Sequence, residues 1–191
     1  MTPDLTSRSE LSTQAARRQV LAVAAGLATA AAGWMLLRLV PQLPLEFFAQ
    51  ASARLAGLFA GAHVERIDTG WLLAGTGRPV VVTAACSATD FFVIVATLLA
   101  WQWVRQGRSP VRAVPAALGA ALPLAVGVNA LRVVVVAQAH RWLIPALPAV
   151  YGPYLHMLTG VAVFLPALIA LNLLLESHGR PRSRLLRVTE A

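Results

Sequence analysis

Residues 79–103 read PVVVTAACSATDFFVIVATLLAWQW, and the change of character along this stretch decides the fold. Before Cys86 the run Val80, Val81, Val82, Thr83 is short and β-branched, which predicts a strand. After Ser87 an apolar run without Gly or Pro continues to Trp103, which predicts a membrane helix. Cys86, the chain's single cysteine, therefore falls where a strand becomes a membrane helix. A thiol in the first turn of a helix faces unpaired N–H groups and the positive end of the helix dipole, and both favour the nucleophilic thiolate. A lone cysteine in apolar sequence is also a common small buried hydrophobe, so the rest of the chain must decide between the two readings.

Composition places the chain in a membrane: of 191 residues, 58% are hydrophobic and only 13% charged, in a length that suits one domain. The net charge of +8 comes from arginine alone, since no lysine occurs, and the arginines cluster near both termini and in one mid-chain loop. Because these clusters flank apolar runs, they read as topology signals and not as a nucleic-acid surface. One cysteine excludes an intramolecular disulfide. His63, His140, His156 and His178 show no metal-ligand spacing, so no metal is expected. No phosphate-binding glycine loop occurs, and no cofactor is implied.

Working outward, residues 1–19 are polar and read as a short disordered cytoplasmic tail ending in Arg17 and Arg18. Residues 20–40 form an apolar run long enough to span, read as a retained anchor and not a cleaved signal, with Arg38 able to snorkel. Pro41 and Pro44 turn the chain. Residues 45–60 then place Phe47, Phe48, Ala51, Leu55, Leu58 and Phe59 largely on one helical face, the pattern of an amphipathic helix lying along the membrane surface. Residues 62–83 carry Gly70, Gly75 and Gly77 between short β-type pieces, which predicts a small extracytoplasmic β-hairpin or meander feeding into Cys86. Arg105, Arg108 and Arg112 mark a short cytoplasmic loop after the second span.

The third span starts near Val114 and carries Pro115, Pro123 and Gly127, predicting a kink and an interruption near Asn129. From Arg112 to Arg132 a helix covers about 30 Å, roughly the apolar thickness of a bilayer, so Arg132 emerges on the outer side. Residues 133–142 continue above it, residues 144–153 turn, and residues 154–175 cross back with His156 in the first turn. The domain thus covers residues 20–176, and residues 177–191 form a basic cytoplasmic tail. The fold expected is mainly α: a bundle of about four transmembrane helices, both termini cytoplasmic, with an interfacial helix and a small outer hairpin. The small residues of 22–33 offer a surface on which a helix partner can pack.

This topology was set by loop charges and run lengths, yet it brings Cys86, Arg132 and His156 to one depth. A thiolate needs a base, and an acyl-transfer transition state needs a fixed positive or hydrogen-bonding group at its oxyanion. Asp90, four residues after Cys86, shares its helical face and calls for a partner such as Arg132 or His156. Each residue alone has a bland reading: Arg132 as an anchor, His156 as an interfacial histidine, Asp90 as a helix-terminus carboxylate. His140 is a rival base about 12 Å further along the third helix.

At these residues the chain resembles the exosortase/archaeosortase family. The resemblance rests on a strand leading into Ala85-Cys86-Ser87, on Asn129-Ala130-Leu131-Arg132 at the outer end of another helix, and on His156 opening the last. It covers roughly residues 70–160. It implies a membrane cysteine transpeptidase acting on exported proteins with C-terminal sorting signals of the PEP-CTERM kind. The signal would be cleaved at the outer face of a bacterial or archaeal cytoplasmic membrane and the protein transferred to a surface-polysaccharide or lipid-linked acceptor. It further implies Cys86 as nucleophile, His156 as base and then acid, Arg132 as the group holding the intermediate, and Ser87, Asp90 and Asn129 in support. Two departures stand out: Ala88 occupies the position of the family's glycine, and about four spans replace about eight. The partners so implied are the substrate's transmembrane tail and the bilayer, with no nucleic acid. The competing expectation is a non-catalytic membrane subunit of surface polysaccharide export, in which Cys86 only packs. An aspartyl membrane peptidase needs two carboxylates at one depth, and Asp90 is alone.

Overall fold

The computed structural model of the protein describes residues 5–75, 79–142 and 152–179. The elements are helix α1 (Leu5–Leu39), a π-helical stretch (Leu43–Ala49) running into α2 (Gln50–Ala60), strands β1 (His63–Ile67), β2 (Gly70–Ala74) and β3 (Val80–Val82), and helices α3 (Thr89–Arg105), α4 (Pro110–Trp142) and α5 (Gly152–Gly179). Among the described residues 4 helices are long and apolar enough to cross a membrane: Thr13–Leu39, Ala84–Arg105, Pro110–Ala139 and Met157–Ser177. The expected turn at 144–153 falls largely outside the described residues, as does most of the basic tail, of which only 177–179 is seen, within α5.

Helix α3 lies at the centre, packed between α1 and α4, with α5 set against α4 and touching α3, and α2 laid across α4. The small-residue stripe of α1 is spent inside the chain: Ala22, Ala25, Thr29 and Gly33 are buried, and a Cβ on Gly33 would stand 3.2 Å from Val93 Cγ2 of α3. Small side chains let two helices approach closely, so this face serves α3 and not a separate partner. Phe92, Val95, Ala96, Leu99, Ala117, Ala121 and Ala125 fill the seam between α3 and α4. Helix α5 is peripheral: Leu158, Val161, Leu165, Ile169 and Leu173 are all more than half exposed, the surface a lipid-facing helix presents.

Two expectations need correction. Residues 5–19 are helical and not a disordered tail, because Ala15, Ala16, Arg17, Arg18 and Gln19 are good helix formers that extend an existing helix without a new nucleus. Helix α4 is not interrupted near Asn129; it runs 33 residues past Pro115 and Pro123. Ala121, Ala125, Ala130 and Val133 are buried along its length, so tertiary packing holds it together across the prolines. In the helix expected to lie along the membrane surface, Phe48, Ala49, Ser52, Ala53, Ala56 and Gly57 face the protein, while Phe47, Leu58 and Phe59 of its apolar face are exposed. Phe48 apart, small residues make the contact with the protein and bulky ones are left exposed, which is the order expected where the solvent is lipid.

Gly61 ends α2 in the left-handed conformation (φ 62°), a turn that L side chains rarely adopt, and so directs the chain into β1. The sheet is an antiparallel meander of order β1-β2-β3, with His63 opposite Ala74 and Trp71 opposite Val82. Trp71, Leu73 and Val82 point to one face and pack on Ala53, Ala56, Ala130 and Val133. Trp71 is held further by a hydrogen bond from Nε1 to Leu45 O (3.2 Å) and by the Arg54 and Arg66 guanidinium groups over its ring, with Arg66 paired to Glu46 at 2.8 Å. The sheet is therefore fastened to one end of the bundle. Arg18 and Arg105 line a common recess at the opposite end.

Candidate functional site

The site grows from the corner between β3 and α3. Thr83 is extended (φ −98°, ψ 174°), Ala84–Cys86 form one 3₁₀ turn, and Ala88 takes the left-handed conformation (φ 57°) as the N-cap of α3. Cys86 therefore stands two residues ahead of the helix cap and not in the helix's first turn as the sequence suggests. The helical run is broken by Ala88, and the Cys86 N–H donates to Thr83 O (2.9 Å) within its own turn. Asp90 is the side chain that occupies the first turn of α3. A non-glycine residue in this conformation costs about 1–2 kcal/mol. Ala88 is held there by burial and by its carbonyl, which accepts the Phe92 N–H at 2.9 Å.

Asn129 of α4 clamps this corner. Its side chain is fully buried, and Nδ2 donates to Cys86 O at 2.7 Å. Its Oδ1 is also buried and accepts no hydrogen bond among the described residues. A buried amide in an apolar setting normally satisfies both ends, so this half-used side chain is an exception that calls for a role. Cys86 itself is half-buried, with Thr83 Oγ1 at 3.8 Å from its Sγ. Ser87 is buried and turned into the loop, its hydroxyl donating to Thr89 Oγ1 at 3.4 Å.

Arg132 follows Asn129 by three residues, one turn along the same side of α4. It stands between two recesses. On one side a narrow pocket is lined by Cys86, Arg132, Val133, Val136 and the three valines of β3. On the other a wider cleft is lined by Ala88, Asp90, Phe91, Ile94, Arg132 and Phe164, among others. The guanidinium lies 5.3 Å from the Phe164 ring, which stacks on Phe91 at 4.7 Å. Gly160 makes room for it: a Cβ there would stand 3.3 Å from Arg132 Nε. A cation on a stacked aromatic pair is attracted by the ring quadrupole and held in one orientation.

The structure thus brings together Cys86, Asn129 and Arg132. Asp90 shares the neighbouring cleft with Arg132 but forms no ion pair with it; among the described residues Arg66 and Glu46 make the one ion pair. The backbone of His156 lies in the opening turns of α5, four residues before Gly160, hence about 6 Å above it along the helix. The side chains of His156 and His140 lie outside what the structure describes. Sequence reading missed Gly160, Phe164 and Phe91. The signal for the first two is their spacing: 156, 160, 164 and 168 recur every fourth residue, one face of a helix. Among the described residues no cluster of His, Cys, Asp and Glu is suited to a metal ion. Compared with known proteins, the chain matches no family model, no curated protein and no solved structure.

Proposed function

We propose that this protein is an exosortase-like membrane cysteine transpeptidase, acting on the C-terminal sorting signal of exported proteins at the outer face of the cytoplasmic membrane. The observation that carries the reading is the meeting of Cys86, from the corner before α3, with Asn129 and Arg132 of α4 at one end of a four-helix apolar bundle, opposite the end where Arg18 and Arg105 meet. The arginine-rich end is cytoplasmic by the positive-inside rule, which leaves the cysteine corner outside.

In this mechanism the Cys86 thiolate attacks the scissile carbonyl carbon, and Arg132 stabilises the oxyanion. The C–N bond breaks as His156 gives its proton to the leaving amine, and the membrane-anchored tail departs. An acceptor amine, or water, then attacks the thioester, returns a proton through His156 and frees the thiol. The stacked ring pair under Arg132 and the Asn129 clamp on Cys86 supply the fixed geometry that such a reaction requires.

Because Cys86 is the only cysteine, thiol labelling in intact membranes reports on it alone. The expected result is labelling from the outer face whose rate falls on the order of tenfold or more in Arg132→Ala and His156→Ala. Labelling that ignores both substitutions, together with full function of Cys86→Ser in cells, would return the chain to the scaffold reading, with Cys86 as packing and the arginines as topology signals.

A further inference from the structure

The pocket beside Cys86 is touched by Val80, Val81 and Val82 together. Successive residues of a strand point to opposite faces of a sheet, so a recess lined by three in a row runs along the strand's edge and not against one face. One edge of β3 is paired with β2; among the described residues no strand pairs with the other. The recess therefore follows the unpaired edge of β3, with Cys86 just beyond its C-terminal end and Arg132, Val133 and Val136 of α4 as the opposite wall.

Open strand edges are usually blunted by charge, proline or a bulge, because their free N–H and C=O groups recruit other chains. β3 carries none of these: it is three valines, with Val81 partly exposed and Val80 and Val82 buried. An unprotected edge ending at a thiol, facing an aliphatic wall, matches what an extended peptide offers: backbone groups at strand spacing and one side chain to bury.

We infer that the unpaired edge of β3 takes an extended segment of substrate polypeptide as an added strand, with a small aliphatic side chain set against Val133 and Val136, so that the next carbonyl reaches Cys86. This rests on the transpeptidase reading, to which it adds the form of the bound substrate and the size of the side chain it accepts. The recess is narrow, which suits a small aliphatic side chain and excludes tryptophan. Arg132, which lines the recess together with Cys86, supplies the cation for the carbonyl oxygen of the added strand.

The test uses the full chain in detergent and five alkylating probes read by adduct mass at Cys86: iodoacetamide, the chloromethyl ketone of an acetylated Ala-Ala-Val-Ala peptide, two versions of that peptide N-methylated at adjacent positions, and one with tryptophan in place of its valine. The thiolate displaces chloride to form the thioether, so no other reactant is needed. Added-strand binding predicts that the parent peptide reacts at least about tenfold faster than iodoacetamide at equal concentration. It also predicts that one N-methyl position abolishes this advantage while its neighbour leaves it intact, because N–H groups along a strand alternate in direction. Replacing the valine by tryptophan should remove the advantage too. Equal sensitivity at both N-methyl positions, or none, overturns the inference. Protection of Cys86 that rises with protein concentration and ignores the peptide also overturns it, and assigns the edge to a second copy. If iodoacetamide reacts normally and no peptide gains, only the added strand fails; if Cys86 is inert to every probe, the transpeptidase reading fails with it.

Discussion

Both ends of the bundle bury an amide side chain between helices, and they use it differently. At the arginine-rich end Gln102, almost fully buried, donates from Nε2 to Asn172 Oδ1 of α5 (3.2 Å), and Asn172 donates in turn to Glu176 Oε1 (3.1 Å). Gln106 adds a bond to Leu175 O (3.2 Å). That chain of donors leads outward to an exposed carboxylate and ties α3 to α5. At the sheet end Asn129 gives its N–H to a backbone carbonyl and keeps its buried oxygen unmatched. Around it stand a left-handed alanine, a guanidinium on an aromatic stack and a strand with one edge unpaired among the described residues. One end shows a finished tie; the other carries features that cost stability.

The sharpest way to break this contrast is to remove Asn129. Asn129→Leu strips the clamp from a buried carbonyl and should cost about 2–3 kcal/mol. It should also slow Cys86 labelling on the order of tenfold, which thermal unfolding in detergent and alkylation kinetics would read separately. An unchanged labelling rate would reduce Asn129 to another packing tie. Gly160→Val comes next. Even a Cβ at this position stands 3.3 Å from Arg132 Nε, so the larger side chain must move the guanidinium off the Phe164 ring. A destabilisation of about 2 kcal/mol with a matching loss of thiol reactivity is expected.

Ala88→Gly should act in the opposite direction. It removes the penalty of a left-handed alanine and should stabilise the fold by about 1 kcal/mol, with the melting temperature as readout. The smallest effect belongs to the other end. Gln102→Leu should cost only about 0.6 kcal/mol, the usual worth of a hydrogen bond between membrane helices, and leave Cys86 labelling untouched. Pairing it with Asn172→Leu should recover most of that loss, because both polar partners are then gone. A Gln102 substitution that altered Cys86 reactivity would show that the two ends are coupled through α3, and would erase the distinction between them.

Much of the architecture was legible in residue order. The four long helices, the glycine-spaced strands and the break at Cys86 follow from hydrophobic run length, β-branched clusters and turn residues, which act over a few neighbours and need no knowledge of the fold. The Asn129 to Arg132 step was readable as well, since three residues on a helix make one turn. Periodicity picked out the apolar stripe of α2 but not its contact with the protein, which is made by Ser52, Ala53, Ala56 and Gly57 while Leu58 and Phe59 stay exposed.

The sequence by itself determined the number and length of the apolar helices, the strand that precedes Cys86 and the grouping of arginines, because each depends on local composition. Only the tertiary structure decided that Asn129 bonds to the Cys86 carbonyl, that Gly160 opens space for Arg132, that Asp90 makes no ion pair with that guanidinium, and that Val133 and Val136 wall the pocket beside the thiol. These are contacts between segments many residues apart. Their distances are fixed by how α3, α4, α5 and the sheet pack, a property of side-chain volumes meeting in space that no local pattern encodes.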